Sequence, residues 1–526
     1  MLGKGRKKIY TDAPVITEQN VITALKAAIA DHTEIASDCD ALFNFVSGIQ
    51  PLQRIKTYRA DIDIQDIDNV ADEITNFKTS FNWGNPITLV QHGDNDGGSE
   101  KESKAISELN ACFDAEKVRQ KTQELASYVE KCGIGYTYID VNTDYEDGDS
   151  YFKYMVLDPR NAFVVRSSYY TDQRIVMNVT FRVDSAGNRY YTVFTKDRRY
   201  EVMNGYAPKK NDDTWDFGEG NNIKNPLGRL PFTEWIRCVD RTGCFERQID
   251  QLNALNILAS DFDNDVDQNT QCVWHANDIE FPTETYTDEN GEEQVRVIHP
   301  TSNDWIETST TPDGRTPFVN PLYVNYDYAG ILNNYLSKRA LILQKCNVPS
   351  RNDNSGGSTG IAMSDATGWT QAEVEATQQD QLKNDAKIDE VKIALTAMKL
   401  CSGFKGGPLA SLKYSDVKPN IKRQKTYEMT TKINAFATAV SHGLDYKSML
   451  QTINLFDDPQ QVARDSEDTM QKFIDKTFGA EVEDIEVDKK GSREKTQGID
   501  APIPDRLDQD RSDQIENSPM LDKGRG

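Results

Sequence analysis

The 526-residue chain reads as a mixed α+β protein in which helix predominates. Three observations carry that expectation. Apolar residues recur every three or four positions in several long segments, the period of a helix face. One central stretch of about 65 residues breaks instead into short β-branched and aromatic runs. Hydrophobic residues make up 37% of the chain, with 22 Tyr, 20 Phe and 6 Trp, enough for a sizeable core at this length.

The opening residues carry Lys4, Arg6, Lys7 and Lys8 and read as a flexible basic arm. Val21, Ile22, Leu25, Ala28 and Ile29, then Leu42, Phe43 and Val46, predict helix across residues 17–48. Gly84–Leu89 (GNPITL) is a turn entering a strand, and His92–Glu100 is a loop by composition. Ser103–Lys131 is helical again, with Gly133 as its stop. YTYIDV, YFKYMVL, AFVVRS, IVMNVTFRV, YYTVFT and RYEVM follow as antiparallel strands, punctuated by turns at Asp158–Asn161 and Ser185–Asn188. Lys209–Asn222 is a polar loop.

Phe245, Ile249, Leu252, Leu255, Leu258, Phe262 and Val266 lie 4, 3, 3, 3, 4 and 4 positions apart. That is one continuous stripe on a helix about 33 Å long. Glu246, Asp250, Asp261, Asp263 and Asp265 occupy its other faces. Two short strands, around Asp278–Tyr286 and Gln294–His299, flank Asn290-Gly291, a hairpin-turn pair. A second long helix presents Tyr328, Ile331, Leu332, Tyr335, Leu336, Ile342, Leu343 and Cys346, and ends before Pro349.

Arg351–Gly360 is a glycine and serine loop. A very polar helix comes next, starting at Ser364 or at Thr370, where Thr370 and Glu373 fit a capping box. Ile388, Val391, Leu395 and Met398 stripe only its second half, and Gly403, Gly406, Gly407 and Pro408 break it. A helix so polar is expected to find its cover on neighbouring copies of the chain. LKYSDVKPNI adds a short strand. Helices over Thr426–His442, after Asp445 and from Pro459 complete the ordered part. Residues 480–526 are acidic with almost no aromatics and read as disordered.

Composition excludes several classes. There are 84 Asp+Glu against 60 Lys+Arg, a net charge of −24. This argues against tight nonspecific binding to DNA phosphates, but not against a surface past which DNA slides. No run of about 18 apolar residues suggests a membrane span. The basic start has no apolar stretch behind it and does not read as a secretory signal. The eight cysteines are scattered without a C-x-x-C, which suits reduced thiols better than a disulfide framework.

Chemistry-bearing motifs are equally sparse. The phosphate-binding G-x-x-x-x-G-K-[ST] pattern does not occur. Cys132–Tyr136 is a fragment of the dinucleotide fingerprint without its third glycine, so a plain turn. The five histidines are far apart, so no zinc site or histidine triad is written in the sequence. Asp261-x-Asp263-x-Asp265 opens like a calcium loop, but Val266 and Cys272 stand where a glycine and a bidentate glutamate are needed. No catalytic residue, metal or cofactor is expected.

Taken in order, several segments resemble portal proteins of tailed bacteriophages, of the type found in siphoviruses of Gram-positive hosts. They are Asn225–Phe232 (NPLGRLPF), Phe245–Val266 with its Ile-Asp-Gln-Leu-Asn core, Ser355–Met363 (SGGSTGIAM), and LKYSDVKPN followed by the Thr426–Asp475 helices. GNPITL and LDPRNAFVV add weaker matches, and the resemblance covers about residues 80–475. The chain departs from the family after SGGSTGIAM, where Gly368 would interrupt a helix begun at Ser364.

The resemblance implies a dodecameric ring with wing, stem, clip and crown around a central DNA channel. Residues 1–19 would be the basic arm, 20–242 the wing, and 243–271 the first stem helix. The clip with its hairpin would be 272–318, the second stem helix 319–347, and the tunnel loop 348–360. Residues 361–425 would return to the wing as long helix and strand, 426–478 would form the crown, and 479–526 the disordered tail. Arg351, Asn352, Asp353, Asn354, Ser355, Gly356, Gly357 and Ser358 would face DNA from the tunnel loop. Lys338, Arg339, Lys345, Glu246 and Asp250 would face the channel from the stem, and Asn290 and Gly291 would dock partners at the clip.

The implied role is packaging, retention and ejection of double-stranded DNA at the unique capsid vertex, without bond chemistry. The implied partners are further copies of the chain, DNA, the major capsid protein, the terminase large subunit, head-completion or adaptor proteins and a scaffolding protein, and no membrane. The protein would be assembled in the bacterial cytoplasm and reside in the virion. Two other readings stay open on the residues. One is a soluble carbohydrate-active hydrolase with its site in the aromatic-rich β region; a deep acidic pocket would favour it. The other is a capsid or tail component; a shell or tube would favour that.

Overall fold

Helix α1 (Val21–Val46) turns patterning directly into packing. Val21, Leu25, Ala28, His32, Ile35, Cys39, Leu42 and Phe45 fall four or three apart, and all are buried. Its first half packs on the central sheet, and its last turn joins a second cluster with Phe245, Leu252, Leu255 and Ile342. His32 stacks on Phe163 at 4.3 Å, with Nε2 2.9 Å from the Pro159 carbonyl.

The computed structural model describes residues 3–52, 62–92, 100–205, 214–218, 220–270, 273–279, 283–287, 291–298, 314–322, 327–350, 368–423, 426–453, 456 and 459–478. The chain divides into two units, Met1–Arg464 and Asp465–Gly526. The described part of the second contains the helix Glu467–Phe478. The 480–526 tail, the His92–Glu100 loop over most of its length and the Arg351–Gly360 loop lie outside the described residues.

Among the described residues the largest sheet has seven strands. They are β1 (Ile9–Thr11), β5 (Ala162–Ser167), β6 (Ile175–Val183), β7 (Arg189–Phe194), β8 (Arg198–Gly205), β9 (Thr214–Phe217) and β10 (Ile223–Lys224). All pairs are antiparallel except β1–β5, which is parallel. Two corrections follow. The basic N-terminal segment is not a loose arm: it is built into the sheet as β1, with Ile9 and Arg6 both buried. The Lys209–Asn222 segment is not wholly a loop, because Thr214–Phe217 pairs with Val202–Gly205.

A second sheet joins β11 (Phe232–Ile236), β3 (Ile134–Val141) and β4 (Phe152–Leu157). A third pairs β2 (Thr88–Gln91) with β16 (Val417–Asn420), the two short strands expected from GNPITL and LKYSDVKPNI. Helices α2 (Val70–Trp83), α3 (Glu100–Ala115) and α4 (Val118–Cys132) precede the strands. The single helix expected over 103–131 is two, broken where Lys117 takes a left-handed φ of 55°. A lysine gives no sequence warning of that conformation. Gly133 does end α4, at φ 79°, and a Cβ there would lie 2.4 Å from the Arg241 carbonyl.

The long polar helix, α7 (Trp369–Leu400), starts one residue after Gly368, whose φ is 87°. Thr370 therefore lies inside the first turn and is not the cap; the alternative start at Ser364 falls outside the described residues. Several of its polar residues find their cover within the chain itself. Gln379, Lys383, Lys387 and Glu390 are all at most 4% exposed. Glu390 accepts from Thr137 Oγ1 at 2.6 Å, Tyr154 OH at 3.0 Å and Trp235 Nε1 at 3.2 Å, and pairs with Lys387 at 2.8 Å. Lys387 in turn lies 4.0 Å from the Phe113 ring centre.

One turn and more along, Lys383 donates to the Asn82 carbonyl at 2.8 Å and sits 4.2 Å over the Trp83 ring. Burial pushes its pKa down to about 8, against the pull of Glu130 and Asp380. Glu130 of α4 accepts from Asn82 at 3.1 Å, Trp83 Nε1 at 3.0 Å and Arg237 Nε at 3.2 Å. Glu375 takes Lys78 at 2.6 Å and also pairs with Arg237. Burial alone would raise Glu375; Arg237 and Lys78 overrule it and hold its carboxyl below the usual range.

Two outcomes follow. His32 is held down to about pKa 4 by burial, so its protonation favours the unfolded chain. Its neutral form should support stability above pH 6.5, with up to about 3 kcal/mol lost as pH falls to 4. Denaturant titrations of wild type and His32→Gln across that window should show the flatter dependence in the variant. Separately, Glu390→Leu should cost about 3–5 kcal/mol by stranding the Lys387 charge. The Lys387→Met/Glu390→Leu double variant should recover part of that loss in urea denaturation.

Candidate functional site

The two long helices expected from the apolar stripes are present. Residues Glu246–Gln248 form one 3-10 turn, and α5 (Ile249–Thr270) continues from it. The partner helix is α6 (Tyr328–Lys345), capped by the Asp327 carboxylate on the Gly330 amide at 2.9 Å. Phe245, Leu252, Leu255, Ile342 and Cys346 bury into one cluster with Leu42, Phe45 and Ile74. Phe45 stacks on Phe245 at 5.7 Å, and Phe262 meets Tyr328 edge-on at 6.0 Å.

Beyond Leu255 the buried stripe of α5 turns polar. Asn256, Ser260 and Asn264 recur every fourth residue and are at most 1% exposed, whereas Val266 is 39% exposed. The apolar reading of α5 missed these three residues, although their i, i+4, i+8 spacing is visible in LNILASDFDN. Ser260 and Asn264 hold an extended segment, Ile62–Asn69, along the helix. Asn264 donates to the Ile64 carbonyl at 2.7 Å and accepts its amide at 3.0 Å. Ser260 Oγ accepts the Asp66 amide at 3.0 Å, and Asn256 donates to Gln50 Oε1 at 2.6 Å. An amide side chain matched to a peptide unit replaces the missing partner strand.

The same segment reaches α6. Asp68 accepts from Tyr335 OH at 2.5 Å and from Arg339 Nε at 3.1 Å, and Arg339 also pairs with Glu73. Burial, then the adjacent carboxylate, pushes the Tyr335 hydroxyl upward, so it remains a donor. Arg339 is thus paired with the chain's own acids while its side chain stays partly exposed. Glu246 is also placed otherwise than expected. It is 1% exposed and pairs with Arg6, because it stabilises the N-terminal segment and the Gly243 amide. Lys338, Lys345 and Asp250 are exposed on α6 and α5.

Two β-ribbons come between α5 and α6 in the chain. Val273–Asn277 pairs with Phe318–Leu322, a ribbon the sequence reading did not foresee. Thr283–Thr287 pairs with Glu293–Val297, and all of these residues are exposed. Gly291 turns the hairpin at φ 83°, and Asn290 lies outside the described residues. Arg296 bridges to Glu284 at 3.0 Å. The tunnel-loop residues Arg351, Asn352, Asp353, Asn354, Ser355, Gly356, Gly357 and Ser358 also lie outside the described residues.

A cavity of about 220 Å³ lies beside β2, α3 and α4, lined by Leu89, Asn110, Phe113 and Trp235 among others. Its one carboxylate, Asp114, is held by Arg119 at 2.9 Å. Paired carboxylates, which glycoside hydrolysis needs, do not converge there. Among the described residues no group of three His, Cys, Asp or Glu could hold a metal ion, and no helix is long and apolar enough to cross a membrane.

The polar stripe makes a specific expectation. Asn264→Leu should remove both hydrogen bonds to the Ile64 backbone and cost about 1–3 kcal/mol. Amide exchange at Ile64 should rise with it, and Ser260→Ala should have the smaller effect.

Comparison with known proteins follows the same architecture. The family model described as "Phage portal protein, SPP1 Gp6-like" matches residues 63–468. No curated protein matches the chain. The match begins at the extended segment, takes in α5 and α6, both ribbons and α7, and leaves out β1 and α1. Proteins of this family are structural and non-enzymatic, belong to the phage capsid and assemble as rings that associate with DNA. With more than half its length matched, the chain belongs to the SPP1 Gp6-like family of phage portal proteins.

Proposed function

We propose that this chain forms a dodecameric ring at the unique capsid vertex, through which double-stranded DNA is packaged, retained and ejected. The observation that carries the reading is the family match across residues 63–468, which spans stem, ribbons and polar helix together. The bareness of α6 supports it. Leu332, Leu336 and Leu341 are 46%, 51% and 46% exposed in the single chain, and a neighbouring copy in a ring would cover them.

In this reading Ile249–Thr270 and Tyr328–Lys345 are the stem, and the exposed hairpin belongs to the clip. The clip docks the terminase large subunit during packaging, then the head-completion or adaptor proteins of the neck and tail. The seven-stranded sheet belongs to the wing, against the major capsid protein, and a scaffolding protein assists assembly. Assembly takes place in the cytoplasm of a Gram-positive host, and the ring ends in a siphovirus virion.

The charge suits a conduit. Twelve chains at −24 give 12 × −24 = −288 per ring. Carboxylates such as Asp250 repel phosphates and keep DNA mobile, because every cationic contact releases counterions and holds the strand. Lys338 and Lys345 are the exposed stem cations placed to steady it. The Arg351–Ser358 loop, with Gly356 and Gly357, touches DNA without gripping it.

Light scattering of the purified protein should give about 12 × 59.4 kDa, near 713 kDa, with ring-shaped views in negative stain. A monomer that is also missing from the vertex of assembled particles would refute the proposal. Replacing Gly356 and Gly357 together by leucine should leave rings intact and abolish DNA packaging or retention; normal packaging would remove the loop from the mechanism.

A further inference from the structure

The family match starts at residue 63, yet residues 3–12 make some of the most buried contacts in the chain. Arg6 has no exposed side-chain surface and pairs with Glu246, whose side chain is equally enclosed; Asp38 of α1 lies 3.7 Å away. The Arg6 amide donates to the Arg241 carbonyl at 3.0 Å. The Gly3 amide reaches Glu246 Oε1 at 2.9 Å. A Cβ at Gly5 would sit 1.9 Å from the Asp240 carbonyl oxygen, so the segment lies flush against residues 240–242. Downstream, Ile9–Thr11 pairs with Val165–Ser167, and Ser168 donates to Asp12 at 2.6 Å. Lys7 bridges to Asp31 and Glu34 of α1 at 2.9 and 2.7 Å.

These contacts join three elements at one point: the sheet, α1 and the first turn of the stem. Glu246 is the hinge of the arrangement, since it opens the 3-10 turn from which α5 runs. Its other described partner is the Gly243 amide at 2.8 Å. With Arg6 and Gly3 withdrawn, its buried carboxylate would keep one neutral donor and no cation. A buried charge in that state must reach water, so the turn has to move.

We propose that residues 3–12 are a latch that fixes the start of the first stem helix to the sheet, with Arg6 as its bolt. Latched and unlatched are two discrete arrangements, because Glu246 is either sealed by Arg6 or hydrated. The latch conveys movement of the sheet to the stem. It lies within a single chain and stands whether or not the ring forms.

The test is amide hydrogen exchange on the full-length protein, on a chain lacking residues 2–12, and on Arg6→Met and Arg6→Lys. Exchange over residues 243–255 should rise at least tenfold in the deletion and in Arg6→Met, and less in Arg6→Lys. Strands β6 to β8 should keep their protection. A synthetic peptide of residues 1–14 should restore protection of 243–255 in the deleted chain, in proportion to its concentration. Should the deletion not fold, the Arg6 pair of variants gives the same comparison. Unchanged exchange at 243–255, an equal rise across β6–β8, or no rescue by the peptide would each overturn the latch.

Discussion

A charge cannot leave water without a partner, and α7 carries its charges straight through the interior. That constraint organises the middle of the chain. Glu390 gathers donors from Thr137, Tyr154 and Trp235, one from each strand of the three-stranded sheet. Glu130 gathers α2, α4 and the residue after β11. Glu375 adds the end of α6, through Asn347 at 3.0 Å. Each carboxylate is satisfied only when several distant segments arrive together. The elements meet in one arrangement because another would leave a buried ion unpaired. The polar helix is therefore a register device for the sheet and helices around it, and its low hydrophobicity is the means.

Helix α5 uses neutral polar groups to the same end. Ser260 and Asn264 bind peptide groups of the Ile62–Asn69 segment, Asn256 binds the Gln50 side chain, and Asp68 and Glu73 hold Arg339 on α6. One extended segment thus ties both long helices to α2. The apolar cluster beneath supplies the adhesion, and the polar contacts fix the register. A helix pair anchored this way can leave its outer surface bare, which is what Leu332, Leu336 and Leu341 show. Rigidity at the inner face and exposure at the outer face suit an element that packs against further copies.

Several elements were legible in the residues alone, and the reason is local. Stripes at helical spacing marked α1, α5 and α6, since apolar burial acts within a few turns. Gly133, Gly443 and Asp445 marked ends and caps through backbone conformation and short-range hydrogen bonds. The Asn290-Gly291 pair marked the hairpin, and the order of segments marked the family. The reading failed where the deciding contact was far away in sequence. Arg6 looks like any residue of a basic tail; Glu246, 240 positions away, makes it a core residue. Lys117 carries no sign of its left-handed backbone.

The sequence by itself determined the fold class, most strand and helix positions, the absence of a recognisable catalytic motif, and the resemblance to portal proteins. Those properties follow from periodicity, turn chemistry and composition, which neighbours in the chain decide. Only the tertiary structure decided which charges face inward. It buried Glu246 against Arg6, paired the partly exposed Arg339 with Asp68 and Glu73, and left Lys338, Lys345 and Asp250 at the surface. The physical reason is that a charged side chain reads the same on either face of a helix. Its partner, brought from elsewhere in the chain, determines whether it can be buried.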